Sequence, residues 1–124
     1  MNALRHVHTL LAPDGVVVDV HPVTEEQVEA REGVVGTIEE PDWVNVDLPN
    51  AEAGVRRVVA EGLYALEAET AYDVLQYADD AEELIEVRRD LLEGQDVLVA
   101  AIRAAQPPVW TRMRVVMRRL RVVA

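Results

Sequence analysis

Three histidines, His6, His8 and His21, are the side chains best suited to hold a metal or pass a proton near neutral pH. His6 and His8 stand two positions apart. On a helix that spacing sends them to different faces, away from a common ion; on a strand they would share a face, and His21 could join them. The surrounding pattern favours a helix, so no metal site is expected. Asp19 and His21 form the more informative pair. On a strand they project from the same side, near its carboxyl end, where ligands gather in open α/β sheets. They are therefore candidate cleft-lining residues. The plainer reading, a polar cap on the strand bonded to nearby backbone, is preferred to a catalytic one.

The remaining candidates are weaker. Glu25-Glu26, Glu39-Glu40, Asp79-Asp80 and Glu82-Glu83 are adjacent carboxylates, which usually form solvated faces or lie at the positive ends of helices. Trp43 and Trp110 read as lids on a core, and Tyr72 and Tyr77 as amphipathic packing or as walls of a substrate pocket. No nucleophile elbow, phosphate loop or metalloprotease helix occurs. The residues thus assign no catalytic group, no metal ligand and no cofactor.

Positioning Asp19 and His21 falls to the stretch Leu4–Val23. Leu4, Val7, Leu10 and Leu11 recur at helical spacing, Pro13-Asp14-Gly15 turns the chain, and Val16–Val20 is a β-branched run fit for a covered strand. Thr24 and Gln27 then have capping-box spacing, predicting a short helix to about Arg31. Gly33–Glu39 and Trp43–Asp47 read as two arms of a hairpin, turned by Glu40-Pro41-Asp42.

Asn50 is an N-cap candidate for a helix whose apolar stripe is Val55, Val58, Val59 and Leu63, ended by Gly62. Tyr64–Tyr77 alternates as a half-buried strand does. Asp79 is placed to cap a helix carrying Leu84, Val87 and Leu91, Gly94 breaks it, and Asp96–Ala105 forms another, stopped by Pro107-Pro108. The residues leave 109–124 open. Met113, Val116, Met117 and Leu120 suit a helix; Met113, Val115 and Met117, alternating with arginines, suit a strand.

Leu11-Ala12-Pro13-Asp14-Gly15, between a helix and a valine-rich strand, resembles the helix–turn–strand late in class I S-adenosylmethionine-dependent methyltransferases. The family writes Pro-Gly-Gly there, and Asp14 replaces its first glycine. The order of elements that follows is also similar to the family's, over nearly all 124 residues. The resemblance implies that residues 109–124 form a strand lying between the other two and antiparallel to both. It also exposes a gap. The family's glycine-rich cofactor loop after its first strand and the cofactor-binding acid ending its second belong upstream of the matched stretch, and no G-x-G-x-G occurs here. The chain resembles the back half of such an enzyme without its cofactor-binding front half.

The expected fold is α+β in a single domain, 1–124: a small mixed sheet with strands near 16–21, 63–76 and 111–122, a short hairpin near 33–47, and packed helices. With no Phe and five aromatics, its core must be aliphatic. The absence of cysteine excludes disulfides and thiolate metal sites. No apolar run approaches a membrane span and the N-terminal residues lack a signal-peptide pattern, so a soluble cytoplasmic protein is expected.

A net charge of −11 disfavours nucleic acid as a partner. There is no lysine, and five of the 12 arginines crowd residues 109–124, which contain no acid. Acidic helices are expected to neutralise them. In function the chain is expected to be a non-catalytic structural or interaction domain, active as a methyltransferase only if another chain supplies the missing half. The resemblance equates Val16–Val20 with the family's fifth strand, whose neighbouring fourth strand has no counterpart here. An apolar strand without that neighbour points to a homodimer with residues 4–23 at or near the contact.

Overall fold

The computed structural model describes residues 3–123. Helix α1 (Ala3–His8) leads into strand β1 (Val16–Pro22), then into the hairpin β2 (Gln27–Ala30) and β3 (Gly33–Thr37). A π-helical turn, Trp43–Asp47, runs directly into α2 (Leu48–Ala60). The long strand β4 (Tyr64–Ala78) follows, then α3 (Ala81–Val87), α4 (Arg89–Leu92), α5 (Asp96–Ala104) and β5 (Val109–Val122). The fold is α+β. Among the described residues the sheet has five strands, and every pairing is antiparallel where a mixed sheet was expected.

Strand β5 is the axis of the sheet. Along one edge it pairs with β4 over Val109–Val122. Along the other, its first half meets β2 and its second half meets β1. The last strand therefore lies between β1 and β4, antiparallel to both. Successive side chains of a strand leave opposite faces of the sheet, so the register sorts the residues. Val17, Asp19 and His21 share the front face with Leu120, Arg118 and Val116. Val18 and Val20 share the back face with Arg119 and Met117.

Two hydrophobic cores follow from that alternation. On the front face, Val58, Tyr64, Leu120 and Val122 are buried with Leu4, Leu11 and Val17 packed around them, so α1 and α2 cover the second half of β5. On the back face, Val28, Ile38, Ala78, Leu84, Leu92, Ile102 and Val109 form the other core, under α3, α4 and α5 at the first half of β5. The opposite half of each face is left without helices. On the front it carries charge: Arg112 bonds Glu29 and Asp73, Arg114 bonds Asp73, and Trp110 packs 5.6 Å from Tyr77. The arginine strand is neutralised chiefly by Glu67, Glu69, Asp73 and Glu29 of neighbouring strands, not by helices as expected, with Glu52 of α2 the exception.

Several local expectations are corrected. Gln27–Ala30 is a strand and not a helix, because Val28 and Ala30 alternate into the back core. Thr24 caps no helix; its hydroxyl accepts the Arg114 amide at 3.0 Å. The hairpin arm opposite Gly33–Thr37 is thus β2, while Trp43–Asp47 is helical. The helix runs through Pro49, so Asn50 is not its N-cap. Proline cannot donate to the carbonyl four residues back, and the wider π turn lies just where that bond is missing. α1 also ends earlier than the spacing of Leu10 and Leu11 suggests. Thr9 and Leu10 make tighter bonds to His6 and Val7, the Thr9 hydroxyl takes the His6 carbonyl, and Leu10 stays exposed.

Other details match local chemistry. Asp14 adopts a left-handed φ of 62°, which aspartate tolerates, and a Cβ on Gly15 would lie 2.9 Å from the Ala12 carbonyl. At Gly36 a Cβ would meet Leu98 at 2.6 Å, so glycine lets α5 lie close on β3. The cap of α3 is Asp80, one residue after the expected Asp79; it accepts from the Glu83 amide while Glu83 reaches back to the Asp79 amide.

Candidate functional site

The front face brings Asp19 and His21 together, as their spacing implied, and adds three residues that the spacing did not reveal. His21 Nδ1 lies 2.8 Å from Asp19 Oδ2, and its Nε2 lies 2.6 Å from Glu52 Oε1. Arg118, opposite Asp19 in the register, donates to both carboxylate oxygens of Glu52 at 3.2 and 2.9 Å. Its Nε donates to Glu69 at 2.8 Å. One chain of charge thus joins β1, α2, β5 and β4.

The electrostatics follow from this geometry. Burial pushes the Glu52 carboxyl up, but the hydrogen bonds from Arg118 and His21 outweigh it, and the group sits below the ordinary glutamate value. Burial works against the charge on Arg118, while Glu52 and Glu69 outweigh it and hold the guanidinium more firmly protonated than usual. Each His21 nitrogen faces a carboxylate. Imidazolium donates from both nitrogens, whereas neutral imidazole donates from one and leaves two acceptors facing each other at the second. The cluster therefore acts as a clasp that fastens α2 to the sheet.

Beside the clasp lies a cleft of about 550 Å³ between α1 and α2. Ala3, Leu4, Ala51 and Val55 wall it, and Asp19 and His21 line it. Arg57 and Asn50 also line it. The cleft offers shape, a carboxylate and a cation, but its imidazole is engaged on both sides.

The other candidates are dispersed. His6 is exposed on α1; His8 meets the Tyr64 ring edge-on at 5.3 Å, and its Nε2 is buried without a hydrogen-bond partner. Among the described residues no group of three or more His, Asp or Glu side chains is arranged to hold a metal. The acid pairs are structural: Glu25 accepts the Glu40 amide, Glu26 bonds Arg88, Asp80 caps α3 and Glu82 bonds Arg103. Tyr72 and Tyr77 stand exposed on β4, and Trp43 lies in the π-helical turn and lids no hairpin.

The missed residues have legible signals. Glu52 falls three and seven positions before Val55 and Val59, on the apolar stripe of its helix, where a lone carboxylate needs a partner. Arg118 has the parity of Val116, Leu120 and Val122 and is nearly buried with them. No helix among the described residues is long and apolar enough to cross a membrane. No protein-family model matches the chain, and no curated protein and no solved structure was found similar to it.

Proposed function

We propose that this chain is a non-catalytic interaction domain that associates with a second copy of itself, with residues 4–23 at or near the contact. The observation that carries this reading is the state of β1. Val18 and Val20 are 58% and 49% exposed on the back face, beyond the edge of the α3–α5 layer. Met117 lies beside them. No strand pairs with the outer edge of β1 among the described residues. A valine face of this kind gains by being covered, and a two-fold contact covers it with itself. The saturated clasp supports the non-catalytic part, since its acid, base and cation are already spent on one another.

The order β1–β5–β4 supports the resemblance to the back half of class I methyltransferases. The hairpin β2–β3 is outside what that resemblance implies. A second reading, the substrate-binding part of a split S-adenosylmethionine-dependent methyltransferase, is favoured by the cleft beside His21.

Sedimentation equilibrium tests the first reading. The wild-type chain should associate at micromolar concentration, and Val18→Lys should weaken that association. Because Val18 is exposed within one chain, its circular dichroism should be unchanged. A clean 13.8 kDa monomer for the wild type would overturn the reading. Both readings place the cofactor half outside this chain, so in calorimetry the isolated chain should take up no S-adenosylmethionine, and a micromolar Kd would overturn both.

A further inference from the structure

Strand β4 has β5 on one side and no strand on the other among the described residues. Every residue from Ala65 to Tyr77 is exposed, including the large apolar Leu66, Tyr72, Val74, Leu75 and Tyr77. Sheet edges are usually defended by lysine, proline, bulges or inward charge. β4 has no lysine and no proline, and its one irregularity falls between Leu66 and Ala68, near its start. Its acids are already engaged. Glu67 pairs with Arg119 and Arg121, Glu69 with Arg118, and Asp73 with Arg112 and Arg114. From Ala68 to Gln76 the edge is a regular row of donors and acceptors with its charge neutralised from behind.

We propose that this edge pairs antiparallel with the same edge of a second copy, joining two five-stranded sheets into one continuous sheet. A row of backbone groups at strand spacing is matched by another extended backbone. A two-fold axis perpendicular to the sheet brings the edge to itself, and the front face stays on the front. The charges narrow the register, and the paired length decides among those left. Centring the pair on Ala71 sets Glu69 against Asp73 of the second copy, and centring it on Asp73 sets that aspartate against its twin; both oppose like charges. Centring it on Tyr72 sets Ala68 against Gln76, Glu69 against Leu75, Thr70 against Val74 and Ala71 against Asp73. No acid then meets an acid, and the two Tyr72 rings lie together at the axis, an aromatic pair of the favourable kind. This contact lies on a different edge from the β1 face and does not depend on it. The two together build an oligomer larger than a dimer.

Two variants test the edge. In Tyr72→Cys the thiols meet at the axis, where facing Cα atoms of antiparallel strands fall within disulfide range. Mild oxidation should give a covalent dimer on a non-reducing gel. Tyr77→Cys should stay monomeric on the gel, because its twin is ten positions away along the strands, about 33 Å. In Ala71→Glu a new carboxylate opposes Asp73 of the second copy. Sedimentation should then show a species larger than a dimer for the wild type, dimers for Ala71→Glu and for Val18→Lys, and a monomer for the double variant. A monomer from Val18→Lys alone, or no cross-link in Tyr72→Cys while the wild type associates, would overturn the edge pairing and leave the β1 contact standing. A monomer from Ala71→Glu, with Val18→Lys behaving as wild type, would uphold the edge and overturn the β1 contact.

Discussion

The helices over the first half of β5 and those over its second half are fixed to the same strand by different chemistry. Behind the first half the contact is aliphatic: Ile102, Val109, Leu84 and Leu92 are buried against Val28 and Ile38. In front of the second half the aliphatic core is smaller, and α2 is held as well by His21, Glu52 and Arg118. An apolar contact is tolerant of direction and insensitive to pH. A charged clasp sets the position of a helix closely, but it works only while its groups keep their protons in the right places. The comparison teaches that one end of the sheet is held by burial and the other by burial plus charge, which are separable by mutation.

The largest expected effect lies at the aliphatic end. Ile102→Ala removes a side chain with no solvent exposure and should cost about 4 kcal/mol in urea unfolding. The loss should be the same at pH 5 and pH 8, and a strong pH dependence would break the contrast. At the clasp, Arg118→Met leaves Glu52 facing only His21. It should cost about 2 kcal/mol, less than unpairing a fully buried ion, because Glu52 keeps some contact with solvent. Replacing Arg118 and Glu52 together with methionine should recover most of that loss. Equal damage from the double variant would show the clasp to be worth more than the packing that replaces it.

Glu52→Gln sharpens the same contrast through pH, at about 1 kcal/mol at neutrality. The folded state holds the Glu52 carboxyl below its ordinary value, so its contribution is present above that value and is lost as the pH falls through the lowered one. Wild type and variant should converge in acid. Exposed Glu67 and Asp73 also sit below their ordinary values, Glu67 held mainly by Arg121 and Asp73 by Arg112, so the wild-type acid limb should survive in part in the variant. Glu40 behaves in the opposite sense. Burial, then the charges of Glu26 and Glu25, raise it. Its ionised form is therefore disfavoured in the folded state, and the cost appears as the pH rises through the raised value. Glu40→Gln should raise the urea midpoint at pH 7, by less than about 0.5 kcal/mol in stability, with the advantage fading below the ordinary glutamate range.

Much of the sheet is legible because its strands announce themselves. Tyr64–Tyr77 alternates, though both its faces are exposed from Ala65 to Tyr77 and not one half-buried as expected. Val16–Val20 is β-branched, and the pairing of both strands with Val109–Val122 agrees with the expected arrangement. The strand state of 109–122 is not decided by its own residues, since helical and alternating readings fit equally. Residues 24–47 mislead where local signals compete with burial. Thr24 and Gln27 have the spacing of a capping box, but the core that claims Val28 lies far along the chain. Trp43-Val44-Asn45-Val46-Asp47 alternates as a strand would, yet it continues into α2. Of the clasp, Asp19 and His21 are visible as a local pair, whereas Glu52 and Arg118 come from distant segments that only the register of β5 brings to them.

The central place of β5 also sets an order of events during synthesis. β1 and β4 precede it and pair with nothing else; among the described residues only β2 and β3 can pair without it. A nascent chain that has emerged only as far as Pro108 can form helices and one small hairpin, but no sheet. Its valines and the long row of β4 remain open to solvent until residues 109–122 leave the ribosome, and both cores then close on a single late segment. Such long-range pairing is slow, and the interval before it is when chains aggregate.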